Sequence, residues 1–133
     1  MVVDANVWVS AAIGSEATHE ASARWIAQQV AQSGPFILPT LVLPEVGGAI
    51  ARRTGQAERG DYWVARIAGL AGAEFVTLDV PLALRAATLA TRLKLHGPDA
   101  VYVAIADMYR VPLVTWDRQI HDRASNAIAV MRP

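Results

Sequence analysis

Five short apolar runs, each set between stretches that read as helix, constrain this chain more than any other feature. They are Val2-Val3, Phe36-Ile37-Leu38, Phe75 to Leu78, Val111 to Thr115 and Ala127 to Val130. The first two are apolar throughout, which suits strands buried on both faces of a parallel sheet rather than a sheet with one wet face. Strand and helix alternate along the whole chain. That order predicts a doubly wound, three-layer α/β domain with a largely parallel sheet. The 133 residues fit one domain, residues 1–133, able to bury roughly two-thirds of its unfolded surface.

The helices have readable starts and stops. A short one runs from Asn6 through Trp8, Val9, Ala12 and Ile13 to Gly14, and a second covers Glu20 to Gln32 before the stop signal Ser33-Gly34-Pro35. A third begins near Leu41, with Thr40 as its expected cap and Pro44 tolerated in the first turn. Gly47 and Gly48 inside it imply close packing, since each costs about 1 kcal/mol against alanine in a helix. The next helix spans Gln56 to Ala71, with Tyr62, Ile67 and Leu70 as core candidates. Pro81 opens one reaching Leu95. Pro98 opens another that is apolar nearly all round, from Ala100 to Met108, and is expected to be buried. A short helix after Asp117 ends near Ser125.

Composition removes several function classes. There is no cysteine, so disulfide scaffolds and thiolate metal sites are excluded. We expect no targeting segment and no membrane span, because charges, glycines and prolines interrupt every apolar stretch; the expected location is the cytoplasm. Twelve basic and twelve acidic side chains cancel, which argues against nucleic-acid binding by bulk positive field. Lys94 is the only lysine. The remaining basic residues are arginines, suited to local phosphate contacts.

Four carboxylates stand at strand ends or helix starts: Asp4, Glu45, Asp99 and Asp117. Each could simply cap a helix or complement its dipole. However, ligands of open α/β sheets bind beyond the carboxyl ends of the strands, and strands one and four, expected central neighbours, both end in Asp. Gathered there, four carboxylates would repel unless a cation neutralised them. Mg²⁺ is the natural partner, since it takes oxygen ligands and keeps waters for chemistry. Asn6 and Thr115, two residues from Asp4 and Asp117, could orient carboxylates or bound water.

Val-Val-Asp4-Ala-Asn6, Thr40-x-x-x-x-Glu45, Gly97-Pro-Asp99-Ala-x-Tyr102-x-Ala104-x-Ala106 and Val-Thr115-Trp-Asp117, in that order and spacing, resemble PIN-domain ribonucleases. The resemblance spans the chain, and its layout is most similar to VapC-type toxins of toxin–antitoxin pairs. It implies a five-stranded parallel sheet of order 3-2-1-4-5, with Mg²⁺ or Mn²⁺ held by the acidic quartet. It further implies RNA hydrolysis by metal-activated water, a small cognate antitoxin and a homodimer. Asp4, Glu45, Asp99 and Asp117 match the family's acids, and Asn6 and Thr115 its polar companions. Trp116 departs from the pattern, where a smaller or polar residue is usual.

Trp116 could stack a base or belong to the core. Arg118 and Arg52, with Arg53, could meet RNA phosphates or be solvated helix charges. Asp122 could join the metal as an outer ligand, whereas Asp79 is expected to cap the Pro81 helix and Asp107 lies about 12 Å along its helix from Asp99. Of the histidines, only His96 is expected near the acids. Two other functions fit less well. A haloacid-dehalogenase-like phosphatase expects an Asp where Asn6 stands, and a catalytically idle PIN-like binding module does not need the acids intact.

Overall fold

The computed structural model describes residues 1–32 and 34–133; Ser33, part of the predicted stop signal, lies outside them. Parallel strands cannot be joined by hairpins, so each crosses over through helix. The chain runs β1 (Val2–Val3), α1 (Ala5–Ala12), α2 (His19–Ala31), β2 (Ile37–Pro39), α3 (Val42–Thr54) and α4 (Ala57–Ala68). It continues through β3 (Glu74–Val76), α5 (Val80–Leu93), α6 (Gly97–Tyr109), β4 (Leu113–Val114), α7 (Arg118–Ala124) and β5 (Val130–Met131).

The sheet has five strands in the order β3-β2-β1-β4-β5, all parallel. Val2 pairs with both Ile37 and Leu113. Central position explains composition: Val2, Val3, Leu38, Leu113 and Val114 are buried, whereas Glu74 and Met131 on the edge strands are exposed. Buried α6 packs on β1, β2 and β4, with every residue from Ala100 to Ala106 in the core. These contacts hold the start of α6 beside the carboxyl ends of the two central strands.

The glycines of α3 serve its packing on α4. A Cβ on Gly60 would stand 2.7 Å from the Gly47 carbonyl oxygen, so the two backbones meet directly. Gly55 ends α3 in the left-handed region at φ 70°, where glycine avoids the Cβ clash.

Several expectations need correction. Tyr62 is 56% exposed and stacks with Arg66 on the surface; Ile67 is five residues on, about 140° round the helix, so both cannot face the core. Met108 emerges in the last turn of α6. Leu41, without a side-chain bond, holds the cap position of α3 in place of Thr40. Strand five starts later than expected, because the amides of Ala127 and Ile128 bond back to the Ala124 carbonyl and close α7.

Candidate active site

Asp4 leaves β1 directly into α1, so its carboxylate stands at the carboxyl edge of the central strand. It caps α1, as the plain reading of the sequence allows, with Oδ1 accepting from the Asn6 backbone amide at 3.2 Å. It also does more than cap. Oδ2 accepts from Asn6 Nδ2 at 2.7 Å and from the Thr115 hydroxyl at 2.5 Å. Asn6 Nδ2 also donates to Thr115 Oγ1 at 2.9 Å, and the Asp117 amide donates to that same oxygen at 2.9 Å. The ends of β1 and β4 are thereby joined through side chains, with Asp4 only 5% exposed.

Glu45 comes from the first turn of α3 and Asp99 from the first turn of α6. The Tyr102 hydroxyl donates to Glu45 Oε2 at 2.6 Å, tying α3 to α6. Asp117 caps α7, its Oδ1 accepting from the amides of Gln119 at 2.6 Å and Ile120 at 3.1 Å.

Burial and like charge act together on three of these groups. Burial pushes Asp4 up from 3.8 to about 7 against the opposing bonds from Thr115 and Asn6, and the charges of Asp99 and Glu45 raise it further. Burial likewise raises Glu45, with the Tyr102 bond opposing and the Asp99 charge adding. Asp99 is raised by burial and by Asp117, while His96 pulls it down. Asp4, Glu45 and Asp99 therefore each feel the charge of at least one other acid. A cation would relieve all of them at once.

The donors fit a hard divalent ion, being carboxylate and hydroxyl oxygens with no sulfur. Among the described residues, however, no three His, Cys, Asp or Glu side chains form a group that could hold a metal ion. Mg²⁺ needs only one or two protein carboxylates and completes its shell with water and phosphate.

The other candidates lie differently. Trp116 donates its amide to Asn6 Oδ1 at 3.1 Å and its indole N–H to Ser22 Oγ at 2.8 Å, with its ring packed against the core. Arg118 is the exposed first residue of α7, 4.0 Å from Asp122, which is exposed and bonded to none of the four acids. Arg52 is exposed seven residues beyond Glu45 on α3, about 10 Å along the axis. Arg53 pairs with Glu16, Asp107 with Arg85, and Asp79 caps α5. His96 stands at the start of α6 as expected, but His121 also reaches this edge, its Nε2 donating to the Thr115 carbonyl at 3.1 Å. Tyr102 and Ser22 had gone unassigned as partners. A lone phenol in an otherwise apolar buried helix was the available signal for Tyr102, since a buried hydroxyl needs a partner. An apolar groove of about 660 Å³ between α2 and α4 contains none of the four acids.

A family model described as PIN domain matches residues 1–126. No curated protein matches the chain. Among solved structures, Mycobacterium tuberculosis VapC20, described as a sarcin-ricin loop cleaving toxin, is similar at TM-score 0.79 and 18% identity, over 99% of this chain and 98% of that one. Rickettsia felis VapBC2 bound to a fragment of its promoter DNA is similar at TM-score 0.71 and 12% identity, over 98% and 96%. FitAcB from Neisseria gonorrhoeae is similar at TM-score 0.67 and 17% identity, over 98% and 95%.

Proposed function

Because the chain belongs to the PIN-domain family, we propose that it is a Mg²⁺- or Mn²⁺-dependent endoribonuclease, the toxin of a toxin–antitoxin pair. The observation that carries this reading is the Asp4 carboxylate, 5% exposed and held by Asn6 and Thr115 at the carboxyl end of β1, which is raised by burial and by the charges of Asp99 and Glu45 from the first turns of α6 and α3. Asp4, Glu45 and Asp99 would hold the ion together with water and substrate phosphate, one or two of them directly, and Asp117 would complete or tune the site. A bound divalent ion supplies positive charge for the phosphate oxygens and acidifies water at neutral pH.

This chain's own residues then have separate tasks. Thr115 and Asn6 orient the Asp4 carboxylate through three hydrogen bonds. Tyr102 holds Glu45 toward α6 and favours its charged form. Water attacks the phosphodiester in line, leaving 5′-phosphate and 3′-hydroxyl ends, so the ribose 2′-hydroxyl takes no part. Arg118, exposed beside Asp117, would meet substrate phosphate; Arg52 is a more distant candidate.

Similarity to proteins from toxin–antitoxin complexes supports a small antitoxin as partner, and a homodimer is the assembly that the family resemblance implies. Among the described residues no helix is long and apolar enough to cross a membrane; the location proposed for this activity is the cytoplasm. Membership of the PIN family stands against the phosphatase alternative.

The test is cleavage of end-labelled structured and unstructured RNAs by antitoxin-free protein with Mg²⁺, Mn²⁺ or EDTA, beside Asp4→Asn and Asp99→Asn. Metal-dependent cutting lost in both variants supports the nuclease. Equal cutting by wild type and variants removes it, and metal-bound protein that cuts none of the RNAs favours the idle binding module.

A further inference from the structure

Trp116 ties the turn between β4 and α7 in two directions. Its backbone amide donates to Asn6 Oδ1, on the acidic side, and its indole N–H donates to Ser22 Oγ on α2. Ser22 is 0% exposed and passes its own hydrogen to Ser10 Oγ at 3.2 Å; Ser10 in turn shares a 2.7 Å bond with the Thr18 hydroxyl. Hydroxyls from α1, α2 and their connection thus form a buried seat for one indole N–H. Buried polar networks of this kind fix geometry when every member is satisfied, because each lost bond leaves a desolvated group. A small or aliphatic residue at this position has no long-reaching donor to offer.

Resting on the nuclease reading of Asp4, Asn6, Thr115 and Asp117, we infer that Trp116 and Ser22 are positioning residues. Their indole–hydroxyl bond locks the 115–117 turn against α2 and sets where Thr115 and Asn6 hold the Asp4 carboxylate. The chain of contacts is continuous: Ser22 to the Trp116 ring, the Trp116 amide to Asn6, and Asn6 to Asp4. The ring accordingly faces inward as a strut, with its polar edge committed to Ser22 rather than offered to a base. Trp116→Phe, which keeps a ring but loses the donor, and Ser22→Ala, which loses the acceptor, must then act alike. Their double variant must be no worse than either.

Mn²⁺ affinity is measured by titration with EPR detection of free Mn²⁺, well below the melting temperature, on wild type, Trp116→Phe, Ser22→Ala, the double variant and Asp4→Asn. Outer partners of metal ligands typically change affinity or activity by about 10–100-fold. The strut predicts about tenfold weaker binding in each single variant, no further loss in the double, lower kcat and an unchanged KM for RNA. Unchanged Mn²⁺ affinity in the single variants, with binding lost in Asp4→Asn, overturns the strut and leaves the nuclease site standing. Wild type that binds no Mn²⁺, or Asp4→Asn that binds it equally well, removes the nuclease reading and the strut with it. An effect confined to RNA KM in Trp116→Phe, with Ser22→Ala unaffected, means base stacking and also overturns the strut. Should either variant fail to fold, the indole ¹H–¹⁵N signals of wild type under Mg²⁺ titration decide. The Trp116 signal, identified by bringing a paramagnetic Mn²⁺ trace to the site, shifts if the network transmits binding, and an unmoved signal refutes it.

Discussion

Tyr102 and Glu45 are 57 positions apart in sequence and 2.6 Å apart in space, phenol to carboxylate. The bond favours the charged form of Glu45, while burial and the Asp99 charge oppose it. Tyr102→Phe removes the favourable contribution and leaves the other two. Glu45 then ionises at higher pH, so the acidic limb of the rate profile moves to higher pH and the loss of activity is greatest on that side. Folding should weaken by about 1.5–3 kcal/mol, the usual worth of a hydrogen bond to a charged group. A pH–rate profile at saturating Mg²⁺ measures the shift, and superimposable limbs for wild type and variant would rule it out.

The same carboxyls make the metal-free fold sensitive to alkali. Asp4 is raised to about 7, and Glu45 and Asp99 are raised in the same direction. A carboxyl that holds its proton more tightly folded than unfolded stabilises the fold fully below its unfolded value. That contribution is lost as pH rises through the folded value. For Asp4 the window is therefore about pH 4 to 7, worth on the order of 4 kcal/mol. Thermal melts in EDTA should show stability falling from pH 5 to 8, and Mn²⁺ should restore much of it at pH 8. A flat profile in EDTA would count against the burial of these acids.

What could be read from the sequence was local. Asp4, Asp99 and Asp117 sit at strand ends and helix starts that short patterns reveal, and for Asp4 and Asp117 the capping role is present in the structure and does not compete with the proposed place at the site. Tyr102 with Glu45 and Trp116 with Ser22 were not legible as pairs, since neither belongs to a shared period and only the packed sheet brings them together. Tyr62 was misplaced for a related reason: apolar character suggested core, while helical phase put it on the opposite side from Ile67.

Capping and charge can be separated at Asp117. Its Oδ1 caps α7, and an asparagine there offers the same acceptor without the charge. Asp117→Asn should keep the melting temperature near wild type and lose activity, whereas Asp117→Ala should lose activity and about 1 kcal/mol of stability as well. Asp79 caps α5 after the edge strand β3. Asp79→Ala should cost comparable stability and leave cleavage intact. Melting curves and RNA cleavage on the three variants provide both readouts; full activity in Asp117→Asn would reduce Asp117 to a cap.

Two glycine-to-alanine changes in neighbouring helices should have opposite signs. In a helix interior alanine is favoured over glycine by about 1 kcal/mol when space permits. At Gly48 the added Cβ would meet the Arg52 guanidinium at 2.9 Å, the far end of a flexible and exposed side chain that can swing away. Gly48→Ala should therefore stabilise by up to about 1 kcal/mol. At Gly60 the added Cβ would stand 2.7 Å from the Gly47 carbonyl oxygen, a backbone atom fixed within α3. Relief there requires the α3–α4 pair to separate, and overpacking of this kind typically costs 1–3 kcal/mol. Urea denaturation of both variants measures the two signs. Since α3 carries Glu45 in its first turn, Gly60→Ala should also lower Mn²⁺ affinity, whereas Gly48→Ala should leave it unchanged.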